Sequence, residues 1–193
     1  MARYDVCMVV RNHFVGDSRV EKEAAFLASK GLRLKILALA RPDLPQKEVF
    51  RGFEVVRFSL ENIPLSRYKS GPNAGTIRSP LSFRDCVCYV LNVIFFQWVN
   101  TVELLKSRPR VIHCHDLSGL QPGYVASKLL RCKLIYDSHE LWLRRNIVAK
   151  RRFAKYHHIK EKIMEARMIG AAHHVITVSA SIAETLSQWY GIR

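Results

Sequence analysis

Tyr136-Asp137-Ser138-His139-Glu140-Leu141-Trp142 follows directly on the apolar run Cys132-Lys133-Leu134-Ile135. An apolar run that passes at once into Asp, Ser, His and Glu reads as a buried strand ending at a polar rim. In open parallel sheets that carboxyl edge is where ligands bind, because strand-end loops and helix N-termini converge there. Arg110-Val111-Ile112-His113-Cys114-His115-Asp116 has the same design. Two strand ends offering imidazole and carboxylate predict a polar crevice on an α/β sheet.

The rest of the chain alternates in the same way. Strand patterns fall at Asp5–Val10, Leu32–Leu39, Phe53–Phe58, Val111–His115, Lys133–Asp137 and His174–Val178. Helical patterns lie between most of them. After Gly16-Asp17-Ser18, Val20, Ala24, Phe26, Leu27 and Ala28 are expected to point inward until Gly31 stops the helix. Further helices are expected over Gly119–Leu130, over a basic segment ending near Ile169, and over Ser181–Trp189. Strands separated by helices, with one short strand-loop-strand link, predict an α/β, Rossmann-like doubly wound parallel sheet of about six strands. Ser59–Ser82, rich in Pro, Gly, Ser and Asn, reads as a long loop, the kind that binds or moves.

Phe83–Lys106 is the most hydrophobic segment. Val87–Trp98 is broken only by Asn92 and Gln97, but Asp85, Asn100 and Glu103 bracket it. A spanning helix needs about 20 apolar residues, so a crossover helix packed on the sheet is the expectation. At 193 residues the chain fits one domain with a real core. Its five cysteines are unpaired by spacing, and Met1-Ala2-Arg3-Tyr4-Asp5 lacks the apolar core of a signal peptide. Both point to reduced thiols and a cytoplasmic protein.

Thirty-one Lys and Arg against sixteen Asp and Glu give a formal charge of +15, so the surface attracts anions. Much of the excess lies in Arg144, Arg145, Lys150, Arg151, Arg152, Lys155, Lys160 and Lys162. Two readings stand for it, a solvated helix face or a patch for phosphate or the anionic inner face of a membrane. Nucleic acid is disfavoured because no recognisable DNA or RNA motif accompanies the charge. A dehydrogenase is disfavoured because no G-x-G-x-x-G follows the first strand.

Four motifs in order carry a family resemblance. They are Asp17-Ser18-Arg19-Val20-x-Lys22-Glu23-Ala24, Val111-Ile112-His113-Cys114-His115-Asp116, Tyr136-Asp137-Ser138-His139-Glu140 and Val175-Ile176-Thr177-Val178-Ser179. Together they resemble the N-terminal, acceptor-side half of a retaining glycosyltransferase with two facing Rossmann-like domains, the GT-B architecture of glycosyltransferase group 1 or family 4. The resemblance covers nearly the whole chain.

It implies a site residue by residue. The turn Asn12–Arg19 matches the one that approaches the donor phosphates, with Gly16 permitting close approach and the helix N-terminus offering N–H donors. Family members often carry two adjacent glycines there; this chain has one, followed by Asp17, which either caps the helix or belongs to the site. His139 matches the family histidine near donor sugar and acceptor, either as a catalytic group or as a structural histidine at a strand end. Arg19, Asp137, Ser138 and Glu140 join it as donor or acceptor contacts, and His115 and Asp116, one strand over, are candidate acceptor ligands. Ser179 is expected as an N-cap and an acceptor contact. His113 and His115 share a strand face, but no third ligand lies near them in sequence, so no metal is expected. No cofactor is implied beyond the nucleotide-sugar donor as substrate.

The family grips the nucleotide through a C-terminal domain with two glutamates eight positions apart and a Gly-rich turn. This sequence contains no such pair, so the expectation is an acceptor-binding domain for a glycan or lipid-linked acceptor, inactive alone. Its missing half is then either a C-terminal domain or a separate nucleotide-binding subunit. In the second case the chain is the free-standing, membrane-seated partner of a split glycosyltransferase.

Overall fold

The computed structural model describes residues 3–59, 83–141 and 154–192. Within them a single seven-stranded sheet has the order β3-β4-β2-β1-β5-β6-β7. Its strands are β1 (Tyr4–Val9), β2 (Leu34–Leu39), β3 (Lys47–Phe50), β4 (Phe53–Phe58), β5 (Pro109–His115), β6 (Lys133–Ser138) and β7 (His174–Thr177). Five helices flank it among the described residues: α1 (Ser18–Ser29), α2 (Phe83–Ser107), α3 (Asp116–Leu130), α4 (Ala154–Ile169) and α5 (Ala180–Tyr190).

All neighbouring strands pair in parallel except β3 and β4. Parallel strands covered on both faces must be apolar on both, which is why the central runs read as continuous rather than alternating. The alternation still sorts side chains. Val6, Met8 and Val10 pack in the layer that holds Val20 and Ala24 of α1. Cys7 and Val9 pack on the other face, with Phe96 and Leu104 of α2 and Leu117, Leu120 and Ala126 of α3. Met8 is in register with His113, His113 with Ile135, and His115 with Asp137. His113, His115 and Asp137 therefore share the α1 face of the sheet, at its carboxyl edge.

The sequence predicts six strands, and the seventh is β3. Its burial alternates exposed and half-buried through Lys47-Glu48-Val49-Phe50, so it carries little apolar signal. The turn behind it, Arg51-Gly52, has positive φ at both residues (46° and 88°), as a two-residue hairpin requires. The short link expected between β2 and β4 thus runs out to the sheet edge and back, and β4 still lies parallel to β2.

Helix α1 corrects one inward assignment. Val20 and Ala24 are buried and Leu27 is half-buried, whereas Phe26 is 60% exposed. Val20, Ala24 and Leu27 follow the helical repeat, and Phe26 sits about 200° from Ala24 on the opposite side. Lys30 Nζ lies 5.3 Å from its ring centroid, a contact available to an exposed aromatic.

Helix α3 begins at Asp116, one turn before the expected Gly119. Glycine reads as a helix breaker in sequence, but here two glycines are the contact surface. A Cβ at Gly119 would stand 2.7 Å from the Val9 carbonyl oxygen, and one at Gly123 would stand 2.1 Å from Cys114 Sγ. Their absence lets α3 lie against β1 and β5.

Helix α2 is the expected crossover helix. No helix among the described residues is long and apolar enough to cross a membrane. Buried charge fastens α2 to the sheet, since Lys35 Nζ of β2 donates to Glu103 Oε1 at 2.6 Å and lies 3.6 Å from Glu54 Oε1. Cys7 and Cys114 are buried free thiols, and burial pushes the Cys7 thiol up to about 12, so it is inert at neutral pH.

The long loop reading for Ser59–Ser82 falls, from residue 60 on, outside the described residues, as do Arg144, Arg145, Lys150, Arg151 and Arg152. Lys155 lies in α4.

Candidate functional site

The β1–α1 turn forms one wall of an open cleft of about 350 Å³ at the carboxyl edge of the sheet. Phe14, with φ 67°, and Gly16, with φ 84°, bend the chain back onto itself. Asn12 holds that bend, its Oδ1 accepting from the Phe14 N–H at 2.8 Å and its Nδ2 donating to Asp17 Oδ2 at 2.7 Å. Asp17 Oδ1 accepts from the Val20 N–H at 3.4 Å. Asp17 therefore caps α1 while also lining the cleft, so the two readings of this residue are compatible. From below, buried Arg57 braces the turn with a hydrogen bond to the His13 carbonyl at 3.4 Å.

Arg19 projects from the first turn of α1 to the strand β6 side. Its Nη2 lies 3.0 Å from His139 Nδ1. A guanidinium only donates, so Nδ1 accepts and the ring proton sits on Nε2. That nitrogen donates to Asp137 Oδ2 at 2.9 Å. His115 Nδ1 lies 3.3 Å from the same oxygen and 3.3 Å from His139 Nε2. One carboxylate oxygen thus gathers two imidazoles from adjacent strands.

The electrostatics follow from that sharing. Burial works to raise the Asp137 carboxyl, but hydrogen bonds from His115 and His139, and their charge, outweigh it and hold it well below the usual carboxylate range. The hydrogen bond to Asp137 raises His139 above the ordinary histidine value, against partial burial and the Arg19 charge. Burial pushes His115 the other way, with Asp137 offsetting only part of it. Protonation of His139 places an N–H on Nδ1 facing the Arg19 guanidinium, so the Arg19 contact belongs to the neutral ring.

The cleft is lined by Val10, Arg11, Asn12, Asp17, Arg19, His115, Asp116, Ser118 and His139. Five of the residues singled out in sequence therefore meet there: Asp17, Arg19, His115, Asp116 and His139. Asp137 joins them through its bonds to both histidines. Asp116 has φ 58°, a left-handed backbone that costs a non-glycine residue roughly 1 kcal/mol and directs the start of α3 toward the cleft.

Gly16, Ser138, Glu140 and Ser179 do not line the cleft. Gly16 shapes the turn. Buried Ser138 donates to the Glu140 carbonyl at 3.1 Å, holding the bend after β6, and Glu140 itself is exposed. Ser179 is an N-cap as expected, its Oγ accepting from the Ile182 N–H at 3.3 Å.

Arg11 is not singled out in the sequence, Asn12 enters there only as the start of the turn, and Glu23 only as a member of the first motif. Glu23 follows Arg19 by one helical turn, a spacing that places both on one face of α1. Its Oε1 lies 3.0 Å from Nδ1 of His113, whose ring stacks on His115 at 4.5 Å.

Residues 17–193 match the family model described as the glycosyl transferase 4-like domain. The chain belongs to that family. Its fold agrees with that of sucrose-phosphate synthase from Thermosynechococcus elongatus. One structure of that enzyme aligns with TM-score 0.62 and 12% identity over 96% of this chain and 82% of that one. A second aligns with TM-score 0.60 and 14% identity over 97% of this chain and 45% of that one, so the chain spans under half of that synthase. No curated protein sequence matches the chain. The domain is thus a glycosyltransferase domain with the N-terminal, Rossmann-like fold of a GT-B enzyme.

Proposed function

We propose that this chain is the acceptor-side domain of an enzyme that moves a sugar from a nucleotide-sugar to a glycan or lipid-linked acceptor. The observation that carries the reading is the Arg19–His139 pair lining a cleft at the carboxyl edge, with Asp137 bonded to His139 behind it, in a chain of this family. Arg19 and the N-terminus of α1 supply positive potential for the donor phosphates. His139, set by Asp137, hydrogen-bonds the acceptor hydroxyl or the sugar, and His115 and Asp116 form the acceptor wall. Ser138, Glu140 and Ser179 act through the backbone they hold.

Such a cleft has one wall in this chain. The other belongs to a nucleotide-sugar-binding domain, whether in the same polypeptide or in a partner subunit, and transfer requires both to hold donor and acceptor together. The split-enzyme alternative draws on α2, where Val90, Ile94 and Trp98 are exposed on the outer surface. The basic residues between Arg144 and Lys155 suit an anionic membrane surface in that arrangement.

The test is a transfer assay on the isolated chain with a panel of nucleotide-sugars. No turnover above the uncatalysed rate is expected, together with movement of the His139 ring resonances when a donor is added. Robust turnover by the isolated chain would overturn the requirement for a second wall. Resonances that ignore every donor and acceptor analogue would overturn the site.

A further inference from the structure

Beneath the cleft, between α1 and the sheet, Glu23 and His113, which the proposed transfer reaction does not account for, converge on His115 and Asp137, which it uses. Glu23, His113, His115 and Asp137 each place a potential ligand atom within 4.8 Å of the other three. They come from α1, β5 and β6, and no two except the histidines are close in sequence. We propose that Glu23, His113, His115 and Asp137 form a binding site for a zinc-like divalent transition metal ion.

Geometry permits it. A tetrahedral ion with bonds of about 2.0–2.1 Å needs ligand atoms roughly 3.4 Å apart, so each atom moves inward by at most about 0.9 Å. One contact is already near that spacing, His113 Nδ1 to Glu23 Oε1 at 3.0 Å.

The chemistry of the set selects the ion. Two imidazoles and two carboxylates suit zinc and its neighbours, whereas calcium and magnesium call for oxygen ligands. Two carboxylates neutralise a dication.

Buried polar groups without partners are uncommon and call for a reason, a bound ion among them. Here His113 Nε2, His115 Nε2 and Asp137 Oδ1 are all buried without a hydrogen-bond partner. Three of the four residues thus keep spare ligating capacity. Asp137 has Oδ1 for the ion while Oδ2 holds His139, and each imidazole has two nitrogens to offer. Glu23, about a third exposed, gives the ion its way in from solvent.

Bound there, the ion bolts α1 to β5 and β6 and fixes the carboxylate that orients His139. This inference does not depend on sugar transfer, and its test does not use it. The chain, stripped with a chelator, is titrated with Co²⁺ and separately with Zn²⁺, followed by visible absorption and by metal analysis after gel filtration. About one equivalent per chain is expected, with the strong visible bands of tetrahedral Co²⁺ and a rise in melting temperature. Glu23→Gln, at a partly exposed position, is expected to weaken binding at least tenfold, and His113→Asn to abolish the bands. Absent Co²⁺ bands, or binding equally tight in the wild type and Glu23→Gln, would overturn the site. The Glu23→Gln comparison decides the matter even if His113→Asn fails to fold.

Discussion

Asp137→Asn is expected to lower sugar transfer by the complete enzyme about 100-fold while leaving the fold intact. The variant keeps the shape of the side chain and removes the charge that gathers His115 and His139. Without it, His139 loses the partner that fixes its tautomer, and its proton affinity falls below the wild-type value. A positioned imidazole contributes typically 10²–10⁴-fold to a reaction that needs it, so an effect near the low end fits a residue that orients rather than reacts. The rate loss should appear in kcat more than in KM, because Asp137 does not itself line the cleft.

The same variant carries a pH signature. Asp137 has a depressed folded value, so its contribution is present above the ordinary carboxylate range near pH 4 and is lost as pH falls through the folded value. His139 has a raised folded value, so its contribution is present below about pH 6.5 and is lost as pH rises through the folded value. The pair therefore stabilises most between those limits. Because His139 borders the cleft and water screens it, the gain is about 0.5–1 kcal/mol. Denaturant unfolding of wild type across pH 3 to 9 should show that maximum, and Asp137→Asn should flatten it. A wild-type profile without a maximum would contradict the assignment of charges.

The second large effect concerns stability. Glu165 of α4, almost fully buried, accepts from the Tyr136 hydroxyl of β6 at 2.9 Å and from the Tyr190 hydroxyl of α5 at 2.7 Å. One carboxylate thus ties the sheet to the last two helices. Glu165→Ala strands the buried Tyr136 hydroxyl and opens a cavity, and a loss of about 2–4 kcal/mol is expected, or roughly 10 °C in Tm. Glu165→Gln separates charge from hydrogen bonding. Burial raises the Glu165 carboxyl, so its ionised form is the less favoured one in the folded chain, and stability is lost as pH rises through that value. At pH 8 Glu165→Gln should therefore match or exceed the wild type, while Glu165→Ala falls well below both. Equal stability of the alanine variant and wild type would show that the two phenols find other partners.

The sequence carried most of this architecture because its signals were local. Runs such as Lys133–Asp137 end where they should, and Asp17 and Ser179 cap the helices they precede. Strand β3 escaped because a half-exposed edge strand with Lys and Glu has no apolar pattern to detect. The start of α3 escaped because Gly119, a breaker by composition, is a packing surface in the fold, whereas its end at Leu130 agrees. In the site, His115, Asp137 and His139 were visible as strand-end polar residues. Their coupling to Arg19 was not, since that contact spans 120 positions and depends on sheet order. Nothing in the local sequence around Glu23 or Glu165 marks either as packed against the sheet. Only the register of β5 with β6, and the seating of α1 and α4, give them buried partners.

The central claim is that the cleft around His139 serves sugar transfer. Its most direct measurement is transfer from a panel of nucleotide-sugars by the protein isolated from its source cells with whatever it binds, beside the same preparation carrying His139→Ala. The account predicts transfer from at least one donor and a fall of about 100-fold or more in the variant. Transfer that proceeds equally well with His139→Ala, or no transfer from any donor by the native assembly, would contradict it.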